Sequence, residues 1–540
     1  MTWEDLAKAK REAVFNKIPK EWVIEVPPVE EAPNPRVLLD KLLPDEENAI
    51  TDSTAMELLD KMKTGELKAI DVATAFCHRA ALAHQVINCC SEIFFERAFA
   101  RAKELDEYYE KTGELYGPLH GIPVSLKDQV NLEGIDSALG FLSRVNKPKT
   151  KDDESVIATI LYNAGAVFYV KTTTPMAMMS GETYSNIYGQ TYNGWNRRLS
   201  PGGSSGGESS LIASKGSLIG LSTDLGGSIR IPAAFNGLFA LRASWGRLPY
   251  CKVDNTMAFQ PVAPSVIGPS ARDRNDLVHL VKTIIDTEPW FVDPKTPPIP
   301  WRPYSVPEKL VFGFYKTNKV TTPHPPVMRA MELIKEKLVA AGHEVIEWDP
   351  PVSHKFIKER LREIFVAENY NEITKECAIT GEPKIPQLVE AWGLKGELTV
   401  SEHWEQARIQ YETQQKYFKY WMDTAKSTST GRPVDAWLTP VWETVSSIAG
   451  NPRYDKVSSY TYAVNYLNLC SVVTPITFVD KTVDVPVTDF QGYDESDDAL
   501  QQTYDPELVD GMPVAVQVIC QRYEEEKALE IAGVVYKATH

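Results

Sequence analysis

SPGGSSGGE at positions 200–208 and TDLGGSIR at positions 223–230 are the most informative stretches of this 540-residue chain. A helix-like run follows the first stretch, and Ile-Pro-Ala-Ala follows the second, with proline near the start of a helix. Glycine- and serine-rich segments are also typical of flexible loops. The helical sequences behind them favour two tight turns that lead into helix N-termini, where free backbone N–H groups bind anions.

The segments around these turns alternate between short apolar runs and helical periodicity. This alternation predicts an α/β domain with a mixed or largely parallel sheet. The predicted strands are residues 122–128, 166–170, 217–222, 434–438 and 514–519. The predicted helices are residues 54–62, 70–84, 94–109, 155–164, 208–214, 231–235, 327–341, 400–422 and 524–537.

The domain organisation follows from shifts in composition along the chain. Residues 1–50, rich in Pro, Glu and Lys, are predicted to form an N-terminal arm, and residues 51–540 one large domain. Residues from about 255 to 430 contain Pro-rich linkers and long polar helices, and we expect a helical elaboration there. The acidic residues 484–510 are expected to form a surface loop.

Bulk composition narrows the function classes. Hydrophobic residues make up 43% and charged residues 24%, as in soluble globular proteins, and the net charge is −16. Such a charge repels phosphate backbones and anionic membranes, so neither nucleic acid nor membrane is an expected partner. The chain shows neither a secretory signal nor a long apolar run, and its seven cysteines are scattered, so we expect a cytoplasmic protein with reduced thiols.

Three chemistries could use glycine-rich turns of this kind. A nucleotide cradle is disfavoured because neither G-x-x-x-x-G-K-[ST] nor G-x-G-x-x-G occurs in these two stretches. The segment 202–206 matches the G-x-S-x-G elbow of α/β-hydrolases, which would make Ser204 a nucleophile with a later histidine as its partner. The third is an oxyanion hole, in which the N–H groups of Leu225, Gly226 and Gly227 lie beside the Ser228 hydroxyl.

The two stretches closely resemble the amidase signature family. The family's lysine falls in a G-I-P-x-S-x-K-D segment, which is residues 121–128 here, and the spacing of Ser204 and Ser228 also agrees. Further matches lie at residues 165–166, 171–172 and 511–517, so the resemblance extends from about residue 50 to the end. Within the family, the N-terminal arm and residues 107–109 and 246–250 look most like fungal acetamidases, which hydrolyse short aliphatic amides.

The resemblance implies a single α/β domain whose central mixed sheet is covered by helices on both faces. It also implies that Ser228 attacks an amide carbonyl and that Ser204, after a cis Gly203–Ser204 bond, passes the proton to an uncharged Lys127. The N–H groups of residues 225–228 would bind the oxyanion, and water would hydrolyse the acyl-enzyme. No metal or cofactor is expected.

Other residues receive supporting roles. Ser205 is expected to bond local backbone, and Asp224 and Arg230 to brace the loop by hydrogen bonds and ion pairing. The resemblance places Met178, Met179, Ser180 and Gly181 against the substrate, although methionine is also a common core filler. This chain has Asn193-Gly194 where the family often has Asn-Pro, and residues 197–200 also depart, which puts substrate preference in doubt rather than the chemistry.

The leading hypothesis is therefore a hydrolase for small carboxylic amides. A carbamate or ester hydrolase using the same three residues is the near alternative. A non-enzymatic assembly component with the same fold is the alternative of a different class, but that reading expects loss of the triad, and all three residues are present. The expected partner is a small amide or carbamate, and family analogy suggests a homodimer.

Overall fold

The computed structural model describes residues 2–392, 396–451 and 460–540. Its strands, numbered in chain order, are β1 Cys90–Ile93, β2 Pro123–Lys127, β3 Val167–Thr172, β4 Tyr184–Ser185, β5 Gly189–Gln190, β6 Ile219–Asp224, β7 Phe239–Arg242, β8 Val266–Ala271, β9 Val311–Phe314, β10 Glu344–Glu347, β11 Ala436–Pro440, β12 Cys470–Phe478 and β13 Pro513–Cys520.

The α-helices are α1 Trp3–Phe15, α2 Pro35–Leu42, α3 Asp45–Asp52, α4 Ala55–Thr64, α5 Ala69–Ile87, α6 Phe95–Thr112, α7 Val156–Asn163, α8 Gly206–Ala213, α9 Arg230–Phe235, α10 Arg274–Asp286, α11 Pro325–Ala340, α12 His354–Phe365, α13 Asn371–Thr380, α14 Pro386–Trp392, α15 Val400–Asp423, α16 Tyr462–Leu467, α17 Glu495–Gln501, α18 Pro506–Val509 and α19 Glu525–Thr539. Short 3-10 helices cover Lys20–Trp22, Leu142–Arg144, Lys151–Asp153, Met176–Met178, Pro289–Phe291 and Thr424–Lys426.

Within the described residues, eleven strands form one mixed sheet flanked by helices on both faces, in the order β1-β3-β2-β6-β8-β7-β12-β13-β11-β9-β10. Strands β3, β2 and β6 run parallel, as do β11, β9 and β10. The strands between β6 and β11 pair antiparallel. The predicted α/β fold with a central mixed sheet is confirmed.

The predicted helices and strands lie within a few residues of the observed ones. The prediction for residues 255–430 was wrong in one respect, because this region also supplies β8, β9 and β10 to the main sheet. Two of those strands have only four residues each, and residues 344–347 are only partly buried, so neither run had a clear strand pattern. The acidic segment 484–510, expected to be a loop, contains α17 and α18.

The first fifty residues contain helices that contact the edge of the sheet. Lys10 of α1 forms ion pairs with Glu92 of β1 and, at 2.9 Å, with Asp136. Leu39 of α2 is completely buried in the main hydrophobic core. The boundary of a separate arm at residue 50 stays a prediction.

A second hydrophobic cluster lies beside the main core. It joins residues 176–179 to aromatic side chains of α12, α15 and α16, including Phe365, Trp421 and Tyr462. The region 255–430 thus brings its apolar side chains to the loop that the sequence assigned to substrate binding. None of the helices in the described parts of the chain combines the length and apolar character needed to cross a membrane.

Candidate active site

Two neighbouring parallel strands place the polar residues of the site. Strand β2 ends at Lys127 and β6 ends at Asp224, and Leu126 pairs with Leu221 in the register between them. Parallel strands put their carboxyl ends at the same edge of a sheet, where α/β proteins bind ligands. The charged residues at these two strand ends therefore lie side by side.

Lys127 is fully buried, and hydroxyl groups hold its amine. Its Nζ lies 2.8 Å from Ser204 Oγ and 2.8 Å from Thr223 Oγ1. Ser204 is contributed by the loop before α8, and Thr223 is the second-last residue of β6. The predicted neighbours Lys127 and Ser204 are in contact, whereas Thr223 was not predicted to be part of the site.

Burial lowers the pKa of Lys127 to about 7, because an ammonium group loses its hydration in the protein interior. The negative charges of Asp224, Glu208 and Asp128 act against this shift and only partly offset it. A lysine with a pKa near 7 is uncharged in a large fraction of molecules at neutral pH, so it can accept a proton.

Glu208, on the first turn of α8, is a second buried ionisable group near the lysine. Burial raises its pKa to about 7, although hydrogen bonds from Ser125 and Thr172 and the charge of Lys127 favour the carboxylate. Thr172 Oγ1 lies 2.7 Å from Glu208 Oε2. Glu208 was not predicted from the sequence. The available signal was its position directly after Gly206-Gly207 and before Ser209-Ser210.

The loop that carries Ser204 is tied to the loop that carries Ser228. The Gly203–Ser204 peptide bond is cis, as the resemblance implied. The Ser205 N–H donates to the Ser228 carbonyl over 3.3 Å, and Ser205 Oγ donates to the Thr223 carbonyl over 3.4 Å. A Cβ on Gly203 would lie 2.6 Å from the Ser180 carbonyl oxygen, so the close approach of the two backbones requires glycine.

The backbone before Ser228 offers free donors. In the described part of the chain, the N–H groups of Leu225, Gly226 and Ser228 have no hydrogen-bond acceptor. The Gly227 N–H, expected to bind the oxyanion as well, donates instead to Asp224 Oδ1 over 2.8 Å. The set of available donors is therefore three N–H groups, with Gly227 serving the turn itself at φ +134°.

Asp224 and Arg230 form a buried ion pair that braces this turn. Arg230 Nε lies 3.0 Å from Asp224 Oδ2, and both side chains are completely buried. The same carboxylate accepts the N–H groups of Gly227 and Ile229. Although burial alone would raise the pKa of Asp224, Arg230 and the hydrogen bond from Asn465 lower it to about 2, so the carboxylate is charged at neutral pH.

A small cavity lies in front of Ser228. It has a volume of about 40 Å³. Its walls include Met178, Met179, Ser180, Gly181, Leu225, Gly226, Phe365, Trp442 and Tyr462. A smaller cavity of about 10 Å³ is lined by both Ser204 and Ser228. All the predicted substrate-binding residues except Gly227 therefore lie around one space. Its aromatic wall, with Phe365 from the end of α12 and Trp442 from the segment after β11, was not foreseen.

The two serine hydroxyls share a cavity wall without touching. No hydrogen bond joins Ser228 Oγ to Ser204 Oγ among the described residues. Catalytic hydrogen bonds are often long or absent before substrate binds. The cavity between the two hydroxyls is where such a contact would form.

The histidines do not support the hydrolase-elbow hypothesis. His324 and His354 are buried against Leu500 and Tyr417, and His343 accepts the Leu310 N–H. No histidine lines either cavity in the described residues. Because Ser204 has Lys127 as its partner, a serine–histidine pair is not what this site contains.

One group of potential metal ligands occurs outside the site. Ligand atoms of His84, Cys89 and Cys90 lie within 4.8 Å of one another. The His84 Nδ1 already accepts the Cys90 N–H at 3.1 Å, and burial raises the pKa of Cys90 well above its usual value. These contacts explain why the three side chains lie close together without requiring a metal ion.

The site and the fold define an amide-hydrolysing enzyme, and the chain belongs to the amidase family, whose sequence model matches residues 71–529. It is similar to the acetamidases of Emericella nidulans and of Aspergillus oryzae, each 39% identical over 99% of this chain and 98% of the relative. A solved fatty acid amide hydrolase structure is 32% identical and superimposes with a TM-score of 0.92, covering 99% of this chain and 95% of that one.

Asp224→Ala should remove the brace and leave the Arg230 guanidinium buried without a counter-charge. We expect the free energy of unfolding to fall by about 3–5 kcal/mol, measured by urea denaturation at pH 7. Asp423→Ala is the matched control, because Asp423 forms ion pairs with Lys419 and Lys426 at the surface, and its unfolding should stay close to that of the wild type. An equal loss in both variants would contradict the brace.

Proposed function

We propose that this enzyme hydrolyses small carboxylic amides through an acyl-enzyme on Ser228, with Lys127 as the base and Ser204 as the bridge. The observation that carries the proposal is the buried Lys127 Nζ, 2.8 Å from Ser204 Oγ, at a cavity that Ser228 also lines. A serine hydroxyl needs a base to become nucleophilic, and a lysine with a pKa near 7 can supply one.

The first step forms a tetrahedral intermediate. Ser204 gives its proton to Lys127 Nζ and takes the proton of Ser228, whose Oγ forms a bond to the amide carbonyl carbon. Substrate binding is the stage at which we place the Ser204–Ser228 contact. The negative charge that develops on the carbonyl oxygen is stabilised by the free N–H groups of Leu225, Gly226 and Ser228.

The second step releases the amine and leaves the acyl-enzyme. The C–N bond breaks as the proton held by Lys127 returns through Ser204 to the leaving nitrogen, which departs as ammonia or an amine. Water then attacks the ester on Ser228, and its proton follows the same path to Lys127. Collapse of this second intermediate breaks the ester bond, restores the Ser228 hydroxyl and leaves the carboxylic acid.

The size of the cavity favours short acyl groups. Drug-sized ligands occupy pockets of about 300–1,000 Å³, whereas this cavity measures about 40 Å³. Aromatic rings close it, with the Phe365 and Tyr462 centroids 5.9 Å apart. Acetamide is the smallest aliphatic substrate consistent with the names of the 39%-identical relatives. An acyl chain of fatty-acid length would need the aromatic wall to open.

A carbamate or ester hydrolase is the second candidate, because an oxyanion hole discriminates little between leaving groups. Carbamate substrates, a homodimer and a cytoplasmic location rest on the sequence alone and stay predictions.

Replacing Lys127, Ser204 and Ser228 one at a time should distinguish their roles. Ser228→Ala removes the nucleophile, and we expect kcat for acetamide to fall by about 10⁴-fold or more. Lys127→Ala and Ser204→Ala remove the base and its bridge, and kcat should fall by about 10²–10⁴-fold. Rates are measured by ammonia release.

Ser209→Ala is the control for these serine variants, because the Ser209 hydroxyl is buried on α8 without a hydrogen-bond partner among the described residues. It should retain nearly full activity. Full activity in Ser228→Ala, with loss in Ser204→Ala, would instead make Ser204 the nucleophile.

The pH dependence of kcat/KM should show the titration of Lys127. The base must be unprotonated, so activity should be lost as pH falls below about 7 and should reach a plateau above it. Glu208→Gln removes a negative charge that favours the protonated lysine, so the acidic limb should move to lower pH. A profile in the unmodified enzyme that rises only near pH 10 would contradict an uncharged Lys127.

Phe365→Ala should enlarge the cavity at its aromatic wall. We expect kcat/KM for hexanamide relative to acetamide to rise by about 10-fold or more, since several methylene groups gain an apolar site. Phe356→Ala on the same helix is the control, because Phe356 does not line the cavity. An unchanged ratio in Phe365→Ala would show that this wall does not limit acyl length.

A further inference from the structure

Gln129 lies two residues after Lys127 in the chain, and the Thr223 hydroxyl forms hydrogen bonds with both side chains. Its Nε2 donates to the Asp254 carbonyl over 2.7 Å and to the Tyr250 hydroxyl over 3.0 Å. A backbone carbonyl can only accept a hydrogen bond, so the amino group of the side-chain amide must face Asp254. The opposite orientation would place two acceptors 2.7 Å apart. The Gln129 Oε1 is therefore the atom that faces Thr223.

This orientation decides the direction of the next hydrogen bond. Thr223 Oγ1 lies 2.5 Å from Gln129 Oε1, and since that oxygen has no hydrogen, the threonine hydroxyl is the donor. A hydroxyl has one hydrogen and two lone pairs. Having donated to Gln129, Thr223 has only acceptor capacity left for Lys127 Nζ, 2.8 Å away.

The direction of the Thr223 bond determines what remains on the lysine. An uncharged amine has two N–H bonds and one lone pair. One N–H must point at Thr223, and the other described partner of Nζ is Ser204, also at 2.8 Å. The lone pair is then free to take the proton of Ser204, because Thr223 has no hydrogen with which to occupy it.

We propose that Gln129 is a positioning residue that fixes the hydrogen of Thr223 away from Lys127 and so reserves the lysine lone pair for Ser204. This inference rests on the proposed function, in which Lys127 is the base, and adds a residue that acts on the lysine through the Thr223 hydroxyl. The groups that surround the lysine charge are Asp224 at the end of β6, Glu208 on α8 and Asp128 beside β2. None of them supplies the directional constraint that Gln129 supplies.

Loss of the Gln129 acceptor has a specific chemical consequence. The Thr223 hydroxyl becomes free to rotate and to donate to the Lys127 lone pair. Ser204 then competes with Thr223 for the base, and Ser228 is activated less often at every pH. Raising the pH does not restore the rate, because the lone pair is blocked by a hydrogen bond rather than by protonation.

The test uses a fluorophosphonate, which modifies an activated serine without depending on amide specificity. The rate of Ser228 modification is measured by mass spectrometry between pH 5 and 9 for the full-length wild type, Gln129→Met and Gln129→Glu. We expect Gln129→Met to react at least about 10-fold more slowly at every pH, with no recovery on the alkaline side. A protonated carboxyl in Gln129→Glu keeps one oxygen that accepts from Thr223 and one O–H that donates to the Asp254 carbonyl, so this variant should react within a few-fold of the wild type at pH 6.

Tyr250→Phe is the matched control. It removes a partner of the Gln129 amino group, while the Asp254 carbonyl still orients the amide, so reactivity should stay near that of the wild type. With acetamide, Gln129→Met should lower kcat and leave KM unchanged. Thermal unfolding checks that each variant is folded, and Gln129→Leu replaces Gln129→Met if the latter does not fold.

The possible results distinguish a failure of the Gln129 role from a failure of the proposed function. If wild-type Ser228 does not react, the proposed nucleophile is wrong and the inference fails with it. If wild-type Ser228 reacts and the apolar variant reacts equally fast, or recovers at high pH, the role of Gln129 is overturned while the proposed function stands. A loss in Gln129→Glu at pH 6 as large as in Gln129→Met would also overturn it.

Discussion

An amine buried without a carboxylate partner is the constraint on which the site depends. Among the residues that the structure describes, Lys127 has hydroxyl groups, not acidic groups, as its hydrogen-bond partners. Hydroxyls satisfy the N–H bonds of an uncharged amine but compensate poorly for the lost hydration of an ammonium ion. The acidic groups nearby act through space and moderate the shift instead of cancelling it. The same burial that destabilises the charged lysine therefore lowers its pKa enough for it to accept a proton at neutral pH.

The second buried basic residue of the site, Arg230, has a carboxylate partner. Arg230 contacts the Asp224 carboxylate directly, and it also donates to the Thr461 carbonyl and to Gln517. An arginine cannot deprotonate, so its charge requires this full set of partners. The pair holds the Ser228 turn by accepting backbone N–H groups at fixed positions. In the proposed mechanism, Lys127 provides chemistry because no carboxylate pairs with it, whereas Arg230 provides rigidity because it is paired.

Much of the fold and of the candidate site could be predicted from the sequence, because local sequence patterns indicated these features. The runs at β2, β3, β6 and β13 had apolar residues and flanking turns, and the glycine-rich segments indicated both loops of the site. The strands β9 and β10 and the wall formed by Phe365 and Trp442 could not be predicted, because they depend on contacts between residues distant in sequence. The Gly227 N–H was assigned to the oxyanion because the sequence does not show that Asp224 accepts it first.

The roles of Thr223 and Gln129 illustrate the same limit. Both lie beside residues that were selected from the sequence, but only the side-chain geometry shows that the Thr223 hydroxyl links Gln129 to Lys127. A direct titration of Lys127 tests the central claim most plainly. The ¹³Cε resonance of Lys127, assigned by its absence in Lys127→Met, should titrate with a pKa near 7 in the folded enzyme. A titration near pH 10.5, the usual range for lysine, would contradict an uncharged base at neutral pH.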